Sequence, residues 1–142
     1  MMNSENPRPA VAVRAVIEDD QNRILILKRA HSRFGVNSWC LPGGKVDFNE
    51  TIEAAVIKEI REETGLTCLS ARFLFYHDCL PTPDLPTHYI NLYFKCTVEG
   101  EIRLNEESSD YHWLTASELS QYEIVFRNDE ALKQYWKINR RE

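Results

Sequence analysis

The chain has 142 residues, 43% hydrophobic and 27% charged, which suits one globular domain with a sizeable core and leaves little room for two. A net charge of −5 argues against binding a nucleic-acid backbone, which needs clustered Lys and Arg, and no apolar run approaches a membrane span. The start, MMNSENPRP, lacks the basic and apolar regions of a signal peptide, so the cytoplasm is the expected compartment. Four scattered cysteines, Cys40, Cys68, Cys79 and Cys96, have neither disulfide-framework nor zinc spacing and read as free thiols.

Residues 1–8 read as a flexible polar arm and residues 9–142 as a single domain. Residues 10–17, rich in β-branched side chains, predict a buried strand. Residues 19–22 turn, and residues 23–28 are expected to return as the second arm of a hairpin. Lys28 and Arg29 end that strand, where they could reach a phosphate or simply be solvated. A polar loop at 31–38 leads to Trp39, which suits a plug under the next loop better than a stacking platform. Pro42 keeps Leu41 extended ahead of Gly43 and Gly44, whose missing side chains permit close backbone approach.

A helix is predicted from about Glu50 or Thr51, with Asn49 or Thr51 as its cap and Gly65 as its left-handed terminator. It carries Glu59, Glu62 and Glu63 within roughly a quarter to a third of its circumference. Ile52, Ala55 and Val56 share that sector, so the three acids are expected to point inward with them. Glu53, Lys58 and Arg61 supply a polar side elsewhere, and acids near a helix C-terminus oppose the macrodipole. Buried carboxylates of this kind call for a strong counter-charge, for which a hard divalent cation is the simplest choice.

Strands are predicted at 71–79 and 88–96, separated by a loop with Pro81, Pro83 and Pro86. Glu99-Gly100 turns into a further extended segment at 101–104. An acidic loop at 106–110 precedes a short strand at 111–114, a helical turn at 115–119, and a last helix capped by Asn128 or Asp129 and running through Trp136. Strands and helices mix without strict alternation, which predicts an α/β fold with a mixed β-sheet between helices. His31, His77, His88 and His112 lack partner spacing and read as structural or exposed.

The stretch from Gly44 to Leu66 resembles the Nudix box, G-x5-E-x7-R-E-U-x-E-E-x-G-U, with U a bulky aliphatic residue. Gly44, Glu50, Glu59, Ile60, Glu62, Glu63, Gly65 and Leu66 match it, and Lys58 stands where the pattern has arginine. The change keeps the charge and loses the planar fork that orients a neighbouring carboxylate. The resemblance implies a Nudix-like α/β/α sandwich over nearly the whole chain, and Mg²⁺-dependent hydrolysis of a pyrophosphate bond, with Mn²⁺ as a substitute ion. It implies Glu59, Glu62, Glu63 and the Gly43 carbonyl as metal ligands, and Glu50 as an orienting residue. Glu62, Glu59 and Glu107, with Glu106 beside it, are candidates for the proton-handling role, and Arg29, Lys28 and Lys45 for substrate binding.

Pro81, about fifteen residues beyond the box, resembles a marker of the ADP-ribose and nucleotide-sugar branch. The small-molecule substrate expected is therefore ADP-ribose or a nucleotide sugar. The alternatives are a nucleoside triphosphate pyrophosphohydrolase and a nucleotide-binding regulatory module without catalysis, which the intact box acids disfavour. Either a monomer or a homodimer is compatible with the sequence.

Overall fold

The computed structural model describes residues 7–30 and 36–140. Of the arm expected at 1–8, only Pro7 and Arg8 are described, both exposed and without regular structure; His31 lies outside the described residues. The described residues form seven strands and two α-helices, in order β1 (Ala10–Ile17), β2 (Ile24–Arg29), β3 (Trp39–Cys40), β4 (Gly43–Lys45), α1 (Ile52–Thr64), β5 (Thr67–Cys79), β6 (Tyr89–Glu99), β7 (Ser108–Leu114) and α2 (Asn128–Arg140). A 3₁₀ helix, Ala116–Gln121, precedes α2.

The strands form a four-stranded mixed sheet, β4-β1-β6-β5, and a three-stranded antiparallel sheet, β3-β2-β7. β1 runs parallel to β6 and antiparallel to β4. The expected hairpin between β1 and β2 is therefore corrected, because the two strands meet only at an isolated Glu18–Ile24 bridge. Each is instead an interior strand of its own sheet and is buried on both faces, which is why both read as near-continuous apolar runs.

Alternation along these two strands divides the interior into layers. Val13, Ala15 and Ile17, with Leu25 and Leu27, pack against Ala55, Val56 and Ile60 of α1. Val16, Ile24 and Ile26 face the other way, onto Ala131, Leu132 and Tyr135 of α2. The result is the expected α/β/α sandwich. All four cysteines are free thiols, three of them buried. Among the described residues no helix is long and apolar enough to cross a membrane.

The ends of α1 match the residues expected of them. The Thr51 hydroxyl accepts from the Ala54 amide, and Gly65 takes φ 76° while its amide donates to the Arg61 carbonyl. The extended segment expected at 101–104 forms no strand; instead the Arg103 amide donates to the Thr64 carbonyl at 2.6 Å, so its backbone closes the end of α1. Ile102 and Leu104 meanwhile pack on the α1 core. β5 starts four residues earlier than expected and carries two register shifts, and β7 absorbs part of the predicted acidic loop.

A Cβ at residue 65 would lie 3.0 Å from Arg103 Cβ in a left-handed backbone. Gly65→Ala is expected to cost about 1–2 kcal/mol, read as a lower urea midpoint with an unchanged m-value.

Candidate active site

Two glycines let strand β4 approach α1 and β1 at backbone distance. A Cβ on Gly43 would fall 2.0 Å from the Val13 carbonyl oxygen, and one on Gly44 would fall 2.7 Å from Glu59 Oε1. No side chain fits at position 43, where the obstacle is backbone, whereas a Cβ at position 44 would displace the end of the Glu59 side chain. The Gly43 amide donates to Glu63 Oε1 at 3.1 Å, tying the strand to the helix.

Glu59 and Glu63 lie one turn apart on α1, and their carboxyl groups hydrogen-bond to each other. Burial pushes the Glu63 carboxyl well above its ordinary value, and the bond to Glu59 adds to this against the opposing Gly43 amide and Arg14 charge. Burial also raises Glu59, where the bond to Glu63 and the Lys58 charge pull down and the charges of Glu62 and Glu107 push up.

The inward stripe of three acids is corrected to two, because Glu62 is exposed. Around the helix Glu63 sits about 40° from Glu59, while Glu62 sits about 60° to the other side, past the edge of the buried face. Accordingly, no group of three His, Cys, Asp or Glu side chains among the described residues converges closely enough to hold a metal ion alone. Glu62 nevertheless stands near enough for its charge to act on Glu59, and so does the exposed Glu107. Glu107 reaches this place because its carbonyl accepts from the Ala30 amide at 3.0 Å, beside the end of β2. Glu106 is exposed in the same turn.

Lys58 Nζ lies 2.8 Å from both Asp47 Oδ2 and Glu50 Oε2, and 4.0 Å from Glu59 Oε2. Hydrogen bonds to Asp47 and Glu50 hold the ammonium well above its usual pKa. The lysine in the arginine position thus fastens the loop before α1 and touches Glu59 only at the edge of ion-pair range. Glu50 is turned to Lys58 and accepts from the Asp47 amide.

The basic candidates separate. Arg29 lies with its guanidinium 4.7 Å from the centroid of the Phe126 ring, and Lys28 Nζ is 6.0 Å from the Trp39 ring. Lys45 is exposed on the edge strand β4, without an ion pair among the described residues. Trp39 is half-buried, edge-on to Tyr122 at 5.3 Å, and belongs to the α2-side core, in keeping with a plug. His77 bonds Gln134 and His112 bonds Glu118, both structural contacts.

A cleft of about 540 Å³ opens between the end of β5 and the segment before α2, with walls that include Cys79, Leu80, Pro81, Val125 and Phe126. Pro81 therefore faces a cavity. Sequence reasoning missed Arg14, which is buried within β1 and paired in register with Gly43 on one side and Tyr93 on the other. The available signal was one arginine at an interior position of an otherwise apolar strand.

A fold of this kind, with paired desolvated carboxylates under a diglycine strand, defines a Nudix hydrolase. The NUDIX domain model matches residues 8–135, and the chain belongs to that family. It is 35% identical over 132 residues to the ADP-ribose pyrophosphatase of Methanocaldococcus jannaschii, covering 91% of this chain and 75% of that protein. It is 32% identical over 137 residues to the nucleoside triphosphatase NudI of Escherichia coli, covering 89% and 96% respectively. The crystal structure of a MutT protein from Methanosarcina mazei Go1 superposes with a TM-score of 0.84 at 24% identity, covering 96% of this chain and 99% of that one.

The family generally uses divalent cations, and the donors here fit one. They are hard carboxylate oxygens, and burial raises the proton affinity of both Glu59 and Glu63, a cost that a bound cation would offset. Because the folded Glu63 pKa lies above the unfolded value near 4.5, the unfolded chain releases that proton first, and stability falls as pH rises from about 4.5 towards the folded value. In EDTA, Glu63→Gln is expected to raise the melting temperature at pH 7, with the gain shrinking towards pH 4, as measured by thermal denaturation across that range.

Proposed function

We propose that this protein hydrolyses the pyrophosphate bond of a nucleoside diphosphate linked to a second moiety, ADP-ribose or a nucleotide sugar first among them, with Mg²⁺ as the working ion and Mn²⁺ able to replace it. The observation carrying this reading is the desolvated Glu59–Glu63 pair against Gly43 and Gly44. Glu59 and Glu63 would hold the cation, with Glu62 and the Gly43 carbonyl completing the protein's share. When bound, a divalent cation acidifies water and offsets charge developing on phosphate oxygens.

The chain's own groups supply the rest. Glu62 and Glu107 are exposed near Glu59, where either would take a proton from water, and Glu107 sits on a loop that substrate can approach. Arg29 and Lys28 at the end of β2, with Lys45 on β4, would hold phosphate oxygens against an otherwise acidic surface. The cleft at Pro81 gives room for the moiety beyond the diphosphate. The name of the M. jannaschii relative supports ADP-ribose. The NudI relative, matched over nearly its full length, favours a second reading in which nucleoside triphosphates are cleaved to release pyrophosphate.

A panel of ADP-ribose, sugar nucleotides and nucleoside triphosphates separates the two. AMP plus ribose 5-phosphate is the expected product pair, whereas pyrophosphate from triphosphates would establish the second reading. Glu62→Gln and Glu63→Gln are each expected to lower Mg²⁺-dependent turnover by orders of magnitude with the fold intact by circular dichroism. Wild-type rates in both variants would remove the catalytic assignment.

A further inference from the structure

Strand β6 is an interior strand of the four-stranded sheet, and the apolar faces of a sheet need a covering layer. On the α1 side that layer is incomplete. The register aligns Val11, Ile90 and Asp78 across β1, β6 and β5, then Val13, Leu92 and Tyr76, then Ala15, Phe94 and Phe73. α1 closes over the β1 end of these rungs, where Val13 and Ala15 pack on Ala55, Val56 and Ile60. Farther out, Ile90 and Leu92 belong to none of the three core clusters, and Phe73 and Tyr76 are 51% and 58% exposed. Phe94, edge-on to Phe73 at 5.6 Å, marks the border between the covered half and the bare one.

The flank of α1 beside this bare half carries a pattern of its own. Glu53, Ile57 and Arg61 follow at intervals of four residues and all are exposed. Ile57 stands about 140° round the helix from Glu62. The stripe faces away from β4, because Glu59 and Lys58 hold the opposite flank against Gly44 and Asp47. The charge of Glu53 acts instead on Cys68 of β5. Among the described residues neither Glu53 nor Arg61 has an ion-pair partner.

An acid, an aliphatic and a base at equal spacing are self-complementary. Laid antiparallel on a second α1, Ile57 meets Ile57 while each Glu53 meets an Arg61, which is the condition for a two-fold contact. The area is of the right order. Half in water, Phe73 and Tyr76 together expose on the order of 200 Å² of aromatic surface. Ile57, Ile90, Leu92 and Phe94 extend it towards the apolar core of an interface, which in a standard complex buries about 800 Å² per partner inside a polar rim. Contiguous apolar patches of this kind, rimmed by charge, mark interaction sites.

We propose that this face is a homodimer interface, in which a second copy of the chain packs its own α1 stripe and its own Phe73 and Tyr76 about a two-fold axis near Ile57. The acids stay open, since they occupy the other flank of α1, so the proposal stands apart from the reading of that site. The test is sedimentation velocity of the full chain at up to about 100 µM, a concentration that captures a small interface. Wild type is compared with Glu53→Arg, Arg61→Glu, the double charge swap and Tyr76→Lys.

Wild type is expected to reach twice the chain mass. Each single reversal alters two contacts at once by symmetry and should weaken the dimer by about tenfold or more, with added salt relieving the loss. The double swap restores both pairs and should return the Kd to within about threefold of wild type. Tyr76→Lys, which puts a charge into the apolar centre, should leave a monomer; it decides together with the remaining reversal if one reversal does not fold. A wild type that stays monomeric, a dimer that none of these changes weakens, or a double swap no tighter than its parents would each overturn the proposal, the first leaving the face to a different partner.

Discussion

Two carboxyl groups forced together out of water are the constraint around which this molecule is arranged. Glu63 is held in place by the Gly43 amide, and Glu59 is pressed against Gly44 so closely that any side chain there would collide with it. Position 43 packs its backbone against the Val13 carbonyl within the β4–β1 pairing, and a side chain at position 44 would push the Glu59 carboxyl aside. β1 in turn is buried on both faces because α1 and α2 cover it from opposite sides. The site is the place where a short strand of two glycines lets a helix bring its acids to a sheet edge.

The apparent conflict between an acidic protein and a phosphate-bearing substrate is resolved locally. The basic groups offered to phosphate stand at the end of β2 and on β4, while Lys58 is spent on Asp47 and Glu50. The acids on α1 are therefore not neutralised by the nearest lysine. Their repulsion is left for a cation to relieve, which makes binding at the site a matter of both charges arriving together.

Much of this was legible in the sequence because it is local. Thr51 and Gly65 bracket the helix by side-chain chemistry and backbone freedom that act within four residues, and Glu59 and Glu63 share a face by helical period alone. What was not legible depends on partners distant in the chain. The hairpin reading of β1 and β2 failed because adjacent apolar strands look alike whether they pair or become the centres of two sheets. Glu62 could not be told from its neighbours, since a 60° rotation off the buried face is within the width of any helical stripe. Arg14 could not be distinguished from a tolerated polar residue, because its partners are Asn91, 77 residues away, and the ring of Phe126.

Strand β1 gives its odd-numbered positions to the α1 core and Arg14, at an even one, to the side where Phe126 lies. Sliding that strand by a single position against its neighbours would exchange the two sets, driving a guanidinium into hydrocarbon and a valine into its place. Misalignment here cannot yield a stable but idle protein. The same error that spoils the site also ruins the interior, so quality control on folding doubles as quality control on chemistry.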